Sequence, residues 1–183
     1  MTETDLVKLL SERFHENFAD ETARAVLGAD GVELLYDLVA FRHGELPKPV
    51  RHKVLFRGAY VLERIYFTVP ECFMPRAAVF CRRDFPACAD PSARRHFGKI
   101  MADLLGRYAP EPGALERIAE SAAEWAVDPG SKVAVKVWAV EVLCRCRDGV
   151  GWVAESWDDI VEAVAANATP GLACRLRKSW RRI

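Results

Sequence analysis

Along nearly its whole length this chain places apolar side chains at i, i+3, i+4 and i+7, and only a few Pro, Gly or Asp residues separate one such run from the next. Alternating runs of β-branched residues, the mark of a half-buried strand, are scarce. The pattern therefore predicts an all-α fold of about 9–10 helices, over 4–18, 20–28, 31–43, 49–67, 71–84, 92–108, 112–127, 131–147, 152–167 and 171–181. Links this short make consecutive helices lie antiparallel and side by side, as in a bundle or a stacked array. With 183 residues, 51% of them hydrophobic, there is enough apolar surface for one domain with a substantial core.

A stacked array is favoured by an internal period. Pro49, Pro91, Pro129 and Pro170 recur roughly every 40 residues, each at the expected start of the second helix of a pair. Proline suits a first helical turn, where its missing N–H has no partner to lose. Asp90 and Asp128 precede two of these prolines, as helix caps do. Basic residues then recur one turn apart in the helices that follow: Lys53 and Arg57, Arg95 and Lys99, Lys132 and Lys136, with Arg175 and Lys178 three apart in the last. Like charges at that spacing disfavour an isolated helix, so their repetition points to partners elsewhere. Pro75 falls inside the expected helix 71–84 and predicts a kink or a late start there.

The turns Asp90-Pro91 and Asp128-Pro129, the basic residues Arg95 and Lys132 after them, and the small and apolar run KVAVKVWAVEVL together resemble HEAT/armadillo-type α-solenoid repeats over about residues 30–183. The resemblance implies a right-handed α-α superhelix. It divides the chain into capping helices at 1–28 and helical hairpins at 29–68, 69–108, 109–147 and 148–183, all within one domain. It also implies that second helices line a concave face, and that turn aspartates and the following basic residues form a ladder between units. Lys48 and Thr169 replace the aspartate in the first and last units, where the ladder has no acid.

On a second helix the helical rotation puts Lys132, Lys136 and Leu143 on one stripe and Glu141 with Arg145 on another. Glu116, Glu120 and Glu124 recur on the preceding helix opposite Leu115, Ile118, Ala122 and Ala126, as an outer ridge does. The row Lys53, Arg57, Arg95, Lys99, Lys132, Lys136, Arg175 and Lys178 is thus the expected binding face, suited to a protein or acidic peptide. A nucleic-acid phosphate backbone is the alternative ligand, and Arg82, Arg83 and the tail RLRKSWRRI would extend the face. The other use of such a row is to pair with turn aspartates and helix ends and so hold the stack together.

No G-x-S-x-G, P-loop or H-E-x-x-H motif is present, and Gly149-Val150-Gly151 reads as a turn. His52 and His96 read as surface or packing residues, and the five tryptophans, all in the last third, as core. A HEAT-like DNA alkylpurine glycosylase would use such rings to hold a flipped base, but it needs an aspartate in the groove, and Asp158 and Asp159 sit where they cap a helix. Met74-Pro75-Arg76 matches part of the flexible loop of the fumarase and adenylosuccinate lyase superfamily without its preceding Gly-Ser-Ser, so a lyase assignment has no support. Six cysteines include no C-x-x-C pair and read as free thiols rather than metal ligands. Lys+Arg and Asp+Glu each number 26, the first residues read as no secretory signal, and no long apolar window exists. The expectation is a cytoplasmic, non-catalytic scaffold without cofactor or metal, monomeric or weakly dimeric.

Overall fold

The computed structural model describes all of residues 1–183 except Asn167, Arg177, Lys178, Ser179, Arg181, Arg182 and Ile183, together with the side chains of Arg42 and Gly171. Among the described residues there are helices and turns and no strand. The helices are α1 (Glu3–Ser11), α2 (Phe18–Gly28), α3 (Val32–Ala40), α4 (Lys48–Thr68), α5 (Ala77–Val79), α6 (Pro91–Leu104), α7 (Pro112–Val127), α8 (Val133–Cys146), α9 (Gly151–Glu155), α10 (Trp157–Ala165) and α11 (Pro170–Arg175). Two compact units result, one of Met1–Ala77 with Cys88–Phe97 and one of Ala78–Ala87 with Gly98–Ile183.

The first unit is organised by α4, against which α1, α2 and α3 all pack. Burial on several sides follows from its sequence, in which Val54, Leu55, Ala59, Val61, Leu62, Ile65 and Tyr66 occupy more than one face. Gly58 sits where the chains approach most closely: a Cβ built there would lie 2.5 Å from Cγ2 of Val39 on α3. The first helix is shorter than the periodicity predicts, ending at Ser11 rather than at residue 18. Its start is set locally, by a capping box in which Thr2 and Asp5 exchange hydrogen bonds. The Thr2 hydroxyl and amide, donating to Asp5, hold that carboxyl below its ordinary range. Its end is set from a distance, because the Arg57 guanidinium donates to the carbonyls of Leu10 and Glu12 at 2.9 and 2.5 Å and so satisfies the helix terminus.

Residues 70–84 depart most from expectation. In place of one helix over 71–84 there are 3-10 turns at Pro70–Cys72 and Met74–Arg76, the short α5, and a π-turn at Phe80–Asp84 closed by Phe85 N–H donating to Phe80 O. Pro70 and Pro75 each remove a backbone donor, so the late start predicted from Pro75 is what forms, with an i→i+5 turn after it.

In the second unit α7 and α8 form a hairpin, with α10 against α7 and α11 against α8. The α7 pattern holds: Ile118, Ala122 and Ala126 are buried while Glu120 and Glu124 are exposed. The proline signal needs a correction at α8. Pro49, Pro91 and Pro170 lie in the first turns of α4, α6 and α11, but Pro129 lies in a loop four residues before α8 begins. Asp90 does cap α6, accepting from Ser92 N–H at 2.8 Å and Ala93 N–H at 3.0 Å. Asp128 instead accepts from Gly130 N–H and the Ser131 hydroxyl, folding the loop upon itself and delaying the helix. Of the stripe drawn through Lys132, Lys136 and Leu143, Leu143 is fully buried.

The contact at Gly58 makes a prediction. Gly58→Ala gains roughly 1 kcal/mol of helix propensity but forces the stiff Val39 side chain to move, and overpacking costs about 1–3 kcal/mol. At Gly28, the last residue of α2, a Cβ meets nothing within 4 Å. Gly58→Ala is therefore expected to lower the melting temperature and Gly28→Ala to leave it unchanged or raise it, as calorimetry would show.

Candidate functional site

The row of cations expected from the sequence does not behave as one class of residue. Lys53, Arg57 and Arg95 belong to the first unit, and Lys99, Lys132, Lys136 and Arg175 to the second; Lys178 lies outside the described residues. Arg57 is committed to the fold: besides the carbonyls of Leu10 and Glu12, its guanidinium covers the rings of Phe14 and Phe18 at 5.4 and 5.5 Å. Lys53 and Arg95 are exposed, and Lys99 is half-buried. Asp90, the expected rung for a basic residue, has His52 beside it at 3.7 Å. Lys132 is exposed as the N-cap residue of α8, and Arg175 lies 5.9 Å over the ring of Trp138.

Lys136 differs from all of these. It lines a cavity of about 450 Å³ whose other walls include Ala126, Val127, Val133, Val164 and Leu172, contributed by α7, α8, α10 and α11. Its ammonium makes no hydrogen bond or ion pair with any described residue. Helix geometry explains its place: Lys136 is one turn after Val133 on the α8 face toward α11, so the same side that carries the charge carries an apolar wall. Val127 and Val133 are 54% and 38% exposed, which leaves an apolar rim open to solvent. The arrangement can hold an aliphatic group together with one negative charge. A second cavity of about 370 Å³ is of the opposite sign, with Asp158, Glu162, Val161 and Trp180 around it.

Two acids of the second unit, Glu116 and Glu141, are taken up by tryptophans. The Trp152 indole N–H donates to Glu116 at 2.6 Å, Trp180 to Glu141 at 3.1 Å, and Trp157 to the Trp180 carbonyl at 3.3 Å. Glu116 thus leaves the acidic ridge predicted for α7. The predicted Glu141 and Arg145 stripe is a wide ion pair at 3.9 Å. Asp158 and Asp159 occupy the first turn of α10, as read from the sequence.

Sequence reasoning missed the one buried polar pair of the first unit's interior that spans α4 and α6. His96 is 2% exposed and its Nδ1 is 2.5 Å from a Glu63 carboxylate oxygen. Its ring stacks on Tyr60 at 5.2 Å and lies 6.1 Å from Phe56, while Nε2 is buried without a partner. A signal was present: Glu63 follows Ala59 by four and precedes Tyr66 by three, and His96 follows Ala93 by three and precedes Ile100 by four, so both sit on apolar faces.

No group of His, Cys, Asp and Glu side chains among the described residues is placed to hold a metal ion. The described cysteines are all free thiols. Burial pushes Cys81 and Cys146 up to about 12 from an ordinary value near 9. No helix among the described residues is long and apolar enough to cross a membrane.

Two outcomes follow. Replacing Glu63 alone by Leu strands a buried imidazole and is expected to cost about 3–5 kcal/mol, whereas Glu63→Leu with His96→Leu is expected to recover much of that loss in a double-mutant cycle read by denaturant unfolding. At pH 8 the thiolate fraction of Cys81 and Cys146 is lower than for a free thiol by roughly a thousandfold, so both should resist alkylation in the native protein and react once it is denatured, as mass spectrometry of the labelled peptides would show. No protein-family model, no curated protein and no solved structure matches the chain.

Proposed function

We propose that this chain is a short α-solenoid scaffold of the HEAT/armadillo kind, acting without catalysis in the cytoplasm, and that it binds a polypeptide partner through the Lys136 cavity of its second unit. The observation that carries the reading is an unpaired ammonium set among apolar walls with an exposed valine rim. A cation that no described carboxylate of its own fold pairs with favours an anionic ligand, and exposed apolar rims are where a partner gains most by excluding water. The α7–α8 hairpin and the prolines in the first turns of α4, α6 and α11 support the repeat architecture. The right-handed superhelix is part of the same proposal.

The nucleic-acid reading has less in its favour. Phosphate backbones need several cations tracking a surface, and α7 and α10, two of the helices that line the Lys136 cavity, expose Glu120, Glu124, Asp158, Asp159 and Glu162. A base-excision role also lacks a carboxylate in this cavity.

Fluorescence anisotropy against labelled pools of short peptides, one acidic and one ending in aliphatic residues, tests the proposal. Wild-type protein is expected to bind a pool, and Lys136→Gln to weaken that binding by about tenfold or more, the worth of a charge-assisted contact. Lys53→Gln should leave it unchanged. Failure of every pool to bind, together with affinity for duplex DNA that falls steeply from 50 to 200 mM salt, would transfer the assignment to nucleic acid.

A further inference from the structure

Resting on the polypeptide-binding reading, we infer that the Lys136 cavity takes the C-terminus of its partner, with the terminal carboxylate on the Lys136 ammonium and an aliphatic last side chain against Val127, Val133, Val164 and Leu172. The chemistry of the lining carries this. Among the described residues around the cavity Lys136 supplies the single positive charge, and the nearest hydroxyl, that of Ser131, already donates to Asp128 at 3.3 Å. One charge answers one carboxylate. A ligand with several carboxylates would meet the acids of α7 and α10 as well, with Glu124 one turn before Val127 and Asp159 one turn before Ala163. A chain end is the place in an ordinary polypeptide where a lone carboxylate and an aliphatic side chain are joined to the same carbon.

Size and rim argue for a polypeptide over a free aliphatic acid of the same chemistry. About 450 Å³ is at the small end for ligand cavities and suits one or two residues rather than a helix. The rim valines, 54% and 38% exposed, stay wet around a small molecule but are covered when further residues of a chain leave the cavity across them. Charge-assisted capture of a terminal carboxylate is a recurrent mode of peptide recognition.

The test uses the full chain and three fluorescein-labelled pentapeptide pools read by anisotropy. The first has randomised residues ending in Val, Leu or Ile with a free carboxylate, the second is the same with an amidated end, and the third is rich in Asp and Glu and amidated. Binding is expected for the first pool and to fall by about tenfold or more on amidation. Lys136→Gln should erase the difference between the first two pools. Val133→Glu should weaken the first pool while leaving the thermal melt unchanged or raised, because a carboxylate at the first position of α8 suits the helix terminus. Equal binding of free and amidated pools, or a preference for the free acid that survives Lys136→Gln, overturns the inference. So does binding of octanoate through Lys136 where no peptide pool binds. Binding of the third pool alone, dependent on Lys136, overturns the chain-end assignment and leaves the broader polypeptide-binding reading standing. Silence from all three pools removes both.

Discussion

A helix with neighbours on several sides has almost nowhere to keep a charged group, and in this protein that constraint decides what each polar residue does. Water must be replaced by a partner, or the group costs the fold about 1–3 kcal/mol and more if charged. On α4, Glu63 meets this by facing His96, and Arg57 by reaching the open carbonyls of α1. On α7 and α8, Glu116 and Glu141 meet it by accepting from the indoles of Trp152 and Trp180. Each solution ties two elements that are distant in sequence, so the polar contacts fix which helices pair while the apolar surface supplies most of the driving force. Lys136 stands out against this background, half-buried among aliphatic side chains and paired with no carboxylate among the described residues.

The two units answer the same constraint differently. In the first, one 21-residue helix is the common partner of three shorter ones, so its apolar residues spread around the helix rather than forming a single stripe. In the second, a hairpin is flanked by α10 and α11, and its acids face outward or toward tryptophans. The close approach of α6 and α8 depends on Gly98, where a Cβ would lie 2.9 Å from the Trp138 Cβ. On α8 the same Trp138 has the Arg175 guanidinium 5.9 Å over its ring.

How much of this could be read from the residues alone depends on the range of the interaction responsible. The all-α class and the bounds of α7 were legible, because the apolar period is local and Pro112 and Asp128 flank it. The end of α1 was not, since it is set by Arg57 from more than forty residues away. At 70–84 the late start was legible from Pro75, but the 3-10 turn at Pro70–Cys72 and the i→i+5 turn at Phe80–Asp84 were not, because the apolar spacing there still looks helical. Lys132 and Lys136 were legible as a basic pair one turn apart, yet their difference was hidden: one ends up exposed at the N-cap position of α8 and the other in a cavity whose walls come also from α7, α10 and α11. Arg57 was legible as a repeated cation with helix ends among its uses, but not as the partner of the α1 end in particular, because repetition of a residue type says nothing of the carbonyls within its reach.

The partition of the chain also sorts its chromophores. Trp125, Trp138, Trp152, Trp157 and Trp180 all belong to the second unit, whereas Tyr36, Tyr60 and Tyr66 belong to the first and only Tyr108 to the second. Indole emission excited at the red edge therefore reports on one half of the molecule, whereas far-ultraviolet ellipticity reports on the helices of both. The two signals need no label: coincident traces fit one cooperative transition, and traces that separate show the tryptophan-bearing unit melting apart from the rest.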